Sequence, residues 1–218
     1  MFPLALLNSG APASTATTTI LMPFTTTSQF TDTVGGHAIT QIGTPTISTV
    51  QSRFGAGALR ITPNNYLRID TAAALNVDSL RPFTFEFWVY REQDMGSYQG
   101  DGLLSMRTGG NRCPVAIKTQ YTYVGNASLD GWYFLSGANN TQAWVHYALV
   151  GDGVNIKSYK GGVLVNTIPH PSWSAGNQFF NIGYDANGGA NAYINDLRIS
   201  DGARYTTNFT PPTAPFTY

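Results

Sequence analysis

Apolar and polar residues alternate with a period of two along most of the chain. In FTFEFWVY, Phe83, Phe85, Phe87 and Val89 fall on one face, and Thr84, Glu86, Trp88 and Tyr90 on the other. Aromatics on both faces predict a strand inside a sheet that is covered on both sides. In AWVHYALV, Trp144, His146, Ala148 and Val150 share one face; Val145, Tyr147 and Leu149 share the other. GDG (151–153) and KGG (160–162) then separate VNIKSY and VLVNTI from it, which predicts an antiparallel meander with two short glycine turns. FNIGY (180–184) and AYINDLRIS (192–200), joined by DANGGAN, read as a further strand pair. No window holds a 3.6-residue period over three turns, so helices are not expected. Many short strands between turn signals predict an all-β sandwich or barrel.

The two ends break the alternation. Residues 1–18 carry an apolar tip, Phe2, Leu4, Leu6 and Leu7, followed by Ser, Thr, Ala, Gly and Pro. They read as an N-terminal arm, flexible or docked on something else, with the first strand at TILMPF (19–24). The end of the chain, YINDLRISDGARYTTNFTPPTAPFTY, starts as a strand and finishes extended, with Pro211, Pro212 and Pro215. Prolines hold an extended chain at low entropic cost. Tyr205, Phe209 and Phe216 are spaced as anchors on a sheet surface. Residues 201–218 are therefore expected to be a strap within one domain, 19–218.

Composition narrows the partners. Charged residues make up 11% of the chain and the net charge is zero. No basic run exists to track phosphates, so a nucleic-acid partner is not expected. No apolar run is long enough to span a membrane. The Leu-rich start lacks a basic segment and breaks at Asn8, so it does not read as a signal peptide. Cys113 is the single cysteine. It excludes an internal disulfide, fits assembly in a reducing cytoplasm, and reads as a small apolar filler.

Five stretches taken in order resemble a known family: ILMPF with FTDTVGGHAIT, ISTVQSRFGAGALRI, FTFEFWVY, WVHYALVGDGVNIKSYKGGVLVNT, and FNIGYDANGGANAYINDLRISDGARYTTNFTPPTAPF. The chain is similar, over about 200 residues, to concanavalin A-like, laminin-G-like jelly rolls, in the variety found in bacteriophage structural proteins. The resemblance implies a sandwich of two antiparallel sheets, with the tail running across the outside back towards the chain start. It also implies a virion protein, a capsid decoration or a head or tail fibre component complete in itself. Such a protein would be assembled in the host cytoplasm and held by its arm to the major capsid protein or another virion protein. The alternative is a lectin for host-surface polysaccharide, since this sandwich hosts lectins, glycanases and inert parts alike. Two departures from the family pattern, Asn195 before the LRI strand and Asn65 before Tyr66, each remove a cation ligand.

Candidate chemistry is sparse, and no enzyme is expected. Glycanases need two carboxylates held on one strand face. The pattern Glu-x-Asp-x-x-Glu is absent, and Glu92-Gln93-Asp94 runs into a loop. Glu86 reads as a paired structural carboxylate. His37, His146 and His170 are dispersed; His146 reads as a satisfied core or edge histidine. No G-x-S-x-G is present. Asp185, Asn187 and Asn191 form one oxygen-rich loop that can serve a glycan or Ca²⁺, although tight turns select the same residues; no other cofactor is expected. Trp132, Trp173 and Tyr121–Tyr123 are candidates for stacking on sugars. Asn126, Asn139 and Asn208 match the glycosylation pattern at about the frequency chance produces. Abundant Thr and aromatics at low surface charge suit self-association into an oligomer.

Overall fold

A computed structural model describes residues 16–70, 81–92, 102–107, 115–118, 121–124, 132–134, 142–169, 179–185 and 188–218. Fifteen strands among them form two antiparallel sheets. The first sheet runs β13 (Val163–Pro169), β12 (Asn155–Lys160), β11 (Trp144–Gly151), β6 (Phe83–Arg91), β15 (Ala192–Asp201), β4 (Ala58–Ile61), β3 (Thr46–Ser48), with β1 (Thr17–Met22) also on β15. The second runs β10 (Trp132–Phe134), β9 (Tyr121–Val124), β8 (Val115–Lys118), β7 (Gly102–Arg107), β14 (Phe179–Ile182), β5 (Tyr66–Ile69), β2 (Ile39–Ile42). No helix among the described residues is long and apolar enough to cross a membrane.

The alternation assigns the faces as expected. Phe83, Phe85, Phe87 and Val89 of β6 and Val145, Tyr147 and Leu149 of β11 all enter one core. They meet Leu67, Ile69, Leu104, Met106, Val115, Ile117, Phe180 and Ile182 of the second sheet. Phe85 stacks on Phe180 with ring centroids 5.8 Å apart, which joins the layers. Each such side chain contributes about 1.5–3 kcal/mol when fully buried, so this interface is the main source of stability. The meander β11–β12–β13 forms with both glycine turns as expected.

Two expectations change. The first strand begins at Thr17, two residues before the expected start, because Thr17 and Thr18 already pair with Asp201 and Ser200. The arm residues Phe2, Leu4, Leu6 and Leu7 lie outside the described residues. β14 and β15 are not partners: β14 pairs with β5 and β7, and β15 with β1, β4 and β6. The chain changes layers between them. Gly183, at φ +97°, passes so close to Ile61 of the first sheet that a Cβ would lie 2.5 Å from Ile61 Cγ2. The crossing thus needs a residue without a side chain.

Candidate functional site

The outer face of the first sheet is largely closed by the strap. Ala203, Tyr205 and Phe209 pack on Ala148, Val150 and Tyr159. Phe216 packs on Leu21 and Trp88. Tyr205 and Phe209 stack with centroids 3.6 Å apart, and both meet the edge of His146. Phe209 N–H donates to the Gly162 carbonyl at 2.9 Å.

Glu86, fully buried, ties strap to sheet. Its Oε1 accepts Nε of Arg198 at 2.8 Å; its Oε2 accepts the Tyr205 hydroxyl at 2.7 Å and faces His146 Nε2 at 3.3 Å. Burial is the largest influence and would raise its pKa. The His146 hydrogen bond, the Arg198 charge and the Tyr205 hydroxyl outweigh it, so the carboxyl stays below its ordinary value. Glu86 and His146 are thus the paired carboxylate and core histidine the sequence suggested. Asp196, at φ +58° in a bulge of β15, accepts Phe216 N–H on Oδ2 at 2.6 Å; its Oδ1 is buried without a partner. Burial pushes its pKa up to about 6, with Glu86 adding to the rise while Phe216 N–H and Arg198 oppose it.

The other layer presents a different surface. Its register sets one row across all seven strands: Thr40, Arg68, Asn181, Ser105, Ala116, Tyr123, Trp132. The described core residues of these strands alternate with the row, so Thr40, Arg68, Asn181 and Ser105 belong to the outer side. At the β2–β5–β14 end the surface is accessible and ordered. The Arg68 guanidinium lies 4.2 Å from the centroid of the Phe179 ring. Its Nε donates to Asp70 Oδ1 at 2.6 Å, and Asp70 Oδ2 accepts the Thr40 hydroxyl at 2.8 Å. The Asp70 side chain is 54% exposed and Phe179 38%. The Thr40 hydrogen bond does most to hold Asp70 below the usual carboxylate range; its slight burial opposes this, and Arg68 adds to the lowering. Alongside, Tyr66 and Tyr184 stack at 4.3 Å and 11°. Deeper in the row, Asn181 Nδ2 donates to Ser105 Oγ at 3.3 Å, and Ser105 Oγ donates to the Tyr184 carbonyl at 2.8 Å. An aromatic ring, a fixed cation and a fixed acceptor within one surface suit hydroxyl-rich ligands.

The candidates singled out in the sequence are spread over the molecule. Asp185 is buried, with Oδ2 2.7 Å from the ammonium of Lys118, which is buried too. Its backbone closes a tight turn with Gly188, the alternative reading of that loop. The Asn191 carbonyl accepts Glu92 N–H at 3.3 Å. Asn187, Trp173, His170, Cys113, Asn126 and Asn139 lie outside the described residues. Asn208 is a strap residue whose Oδ1 accepts Leu164 N–H at 2.8 Å. Trp132 and Tyr123 stand opposite one another in the register, at the far end of the row. Glu92 is engaged by Arg60 and by the Tyr193 hydroxyl, and Asp94 of its motif lies outside the described residues. His37 contacts Asp32 Oδ2 through Nδ1 at 2.6 Å. Among the described residues no three His, Cys, Asp or Glu converge as a metal site. The Asn195 amide ties the 52–54 loop to Pro23, and Asn65 holds the Thr44 turn. Sequence reasoning missed Arg68, Asp70, Thr40 and Phe179. Their sole linear trace is the alternation of YLRID.

A family profile described as the concanavalin A-like lectin/glucanases superfamily, of the laminin-G type, matches residues 62–207, and the chain belongs to this family. The two sheets are its sandwich. Among solved structures the chain is similar to domain 4 of AbnA, a GH43 extracellular arabinanase from Geobacillus stearothermophilus, in complex with arabinotriose. The identity is 19%, the TM-score 0.64, and 87% of this chain and 95% of that one are covered. It is also similar to the botulinum neurotoxin serotype G binding domain, at 14% identity and TM-score 0.60, over 86% of this chain and 48% of that one. The binding domain of botulinum neurotoxin DC in complex with SialylT matches at 12% identity and TM-score 0.63, over 85% and 48%. The chain thus spans about half the length of the neurotoxin domains. At these identities the likeness shows the fold. A search of curated protein sequences returned no match.

Proposed function

We propose that the protein is a non-catalytic glycan-binding module whose ligand lies on the outer face of the second sheet, at Thr40, Arg68, Asp70 and Phe179. The observation that carries this reading is the accessible Arg68–Phe179 stack, locked by Asp70 and Thr40, on the face opposite the strap. A sugar gains from such a set in two ways. Its C–H face packs on aromatic carbon, and its hydroxyls meet donors and acceptors whose positions are already set. Family membership supports the reading, as do the neighbours above, which are named as binding domains or as parts of a glycan-processing enzyme. It stood second to a virion role on the sequence, and these relatives move it to first place. Attachment through the arm to a particle is a separate question of where the module works.

The test is a glycan array with the purified protein, followed by calorimetry on the hits. A shallow, exposed site of this size should bind weakly, with Kd on the order of 10⁻⁵–10⁻³ M, equivalent to about −4 to −7 kcal/mol. Arg68→Ala should weaken every neutral-sugar hit about tenfold or more while leaving the fold intact, because the Arg68 side chain is partly exposed. An array blank in all conditions, or neutral-sugar hits indifferent to Arg68→Ala, would remove the proposal.

A further inference from the structure

Beyond the end of the strap, the outer face of the first sheet carries a second ordered surface. Cross-strand pairing sets Trp144 beside Tyr90, Tyr90 beside Tyr193, and Tyr193 beside Arg60. Ring centroids are 5.7 Å apart for Tyr90–Trp144 and 6.0 Å for Tyr90–Tyr193. Arg60 lies 4.9 Å over Tyr193, and Glu92 takes both the Arg60 guanidinium and the Tyr193 hydroxyl. Tyr90 and Trp144 are half-buried. One row inward, the exposed Arg53 lays its guanidinium 4.2 Å over the Trp88 ring, with Phe54 edge-on to that ring at 5.8 Å. The backbone beneath Arg53 is pinned, since Asn195 Oδ1 accepts N–H of Arg53 at 3.0 Å and of Phe54 at 2.8 Å.

The hydrogen-bonding inventory of this surface is lopsided. Its acceptors are occupied: Glu92 by Arg60 and Tyr193, Asn195 Oδ1 by two backbone groups. Its donors are in surplus. Arg53 carries five N–H groups in a planar fork, and among the described residues no carboxylate pairs with it. The Trp88 indole N–H is buried with no acceptor. An exposed cation held over aromatic rings, beside acceptors already occupied, is arranged to take a carboxylate in two parallel hydrogen bonds. Residues 88 and 90 share a face about 7 Å apart, so an acid seated on Arg53 puts the rest of its molecule over Tyr90 and Trp144. The ligand is therefore anionic at one end and has a C–H face beside it.

We propose that this surface is a second glycan contact, which takes a carboxylate-bearing sugar, of the uronic or sialic type, with its acid on Arg53 and its ring over Tyr90 and Trp144. The inference rests on the glycan-binding reading and places an additional contact on the opposite layer. The two surfaces differ in charge logic. Arg68 is already neutralised by Asp70, whereas Arg53 has no such partner among the described residues.

Calorimetry with trigalacturonate and 3′-sialyllactose, each against its neutral counterpart (galactotriose, lactose), tests it in the full chain. At least one acidic sugar should bind ten times or more tighter than its counterpart, and Arg53→Gln should abolish that preference while leaving neutral-sugar binding unchanged. Raising salt from 50 to 500 mM should narrow the preference, since the contact is exposed. Acidic binding unaffected by Arg53→Gln would overturn the inference while the Arg68 surface stands. Neutral sugars binding with no acidic preference would do the same. No sugar binding at all would bring down both readings. A poly-glutamate peptide binding as tightly as trigalacturonate would overturn the assignment to sugars.

Discussion

Asp196 holds the end of the strap with a carboxylate that the fold disfavours. It accepts Phe216 N–H, but Oδ1 has no partner and the residue is 1% exposed. Its pKa rises from 3.8 to about 6 on folding. At about 1.4 kcal/mol per pH unit, this is a destabilisation of up to about 3 kcal/mol when the group is ionised. The sign follows from a raised carboxyl pKa. Both states are protonated below about pH 4 and no penalty exists; it grows between pH 4 and 6 and is complete above 6. Asp196→Asn removes the charge, keeps an oxygen for Phe216 N–H, and tolerates the left-handed backbone as well as Asp does. Its new amide inherits the partnerless site, which takes back part of the gain. The variant should therefore be more stable than the natural protein by about 1–3 kcal/mol at pH 7.5, and at pH 4 equal to it or less stable by up to about 2 kcal/mol, the cost of the amide alone. Urea denaturation of both proteins at pH 4, 5, 6 and 7.5 reads the difference directly. Glu86, Asp32 and Asp70, whose pKa values are lowered, act in the opposite sense, and largely drop out of the comparison. A stability gain that is flat with pH, or largest in acid, would refute the reasoning.

Three further outcomes follow from the same contacts. Tyr205→Phe keeps the stack on Phe209 but withdraws a hydroxyl from buried Glu86, and should cost about 1.5–3 kcal/mol in urea denaturation. Lys118→Met removes the ammonium 2.7 Å from the buried Asp185 carboxylate and should cost about 3–5 kcal/mol, most of it recovered when Asp185→Leu is added. Gly162→Ala at φ +77° would put a Cβ 2.0 Å from the Phe209 carbonyl, so hydrogen exchange at the Phe209 amide should speed up selectively.

The fold was readable because burial on both sides leaves its mark on alternation. The alternation separated Trp88 and Ala148 from the core-facing residues of their strands, and the aromatics of the strap land on the face they share. The layer change between β14 and β15 was not readable. Two strands joined by a glycine-rich turn look alike whether they pair or cross, and the deciding contact is Gly183 against Ile61, more than a hundred residues apart in sequence. The site was less legible still. Thr40, Arg68 and Phe179 come from three strands, and no spacing links them; only the register of β2, β5 and β14 does. Asp185 has the chemistry of an oxygen ligand, yet Lys118, brought in by β8, engages its carboxylate.

The central claim is that the second sheet's outer face binds glycan while the patch of the first sheet covered by Tyr205 and Phe209 does not. Backbone amide NMR titration with an oligosaccharide hit from the array tests this most directly. The account predicts saturable shifts at Arg68, Asp70, Phe179 and Asn181, with Ala148, Val150 and Tyr159 unmoved. Shifts centred under the strap, with residues 66–70 silent, would contradict it.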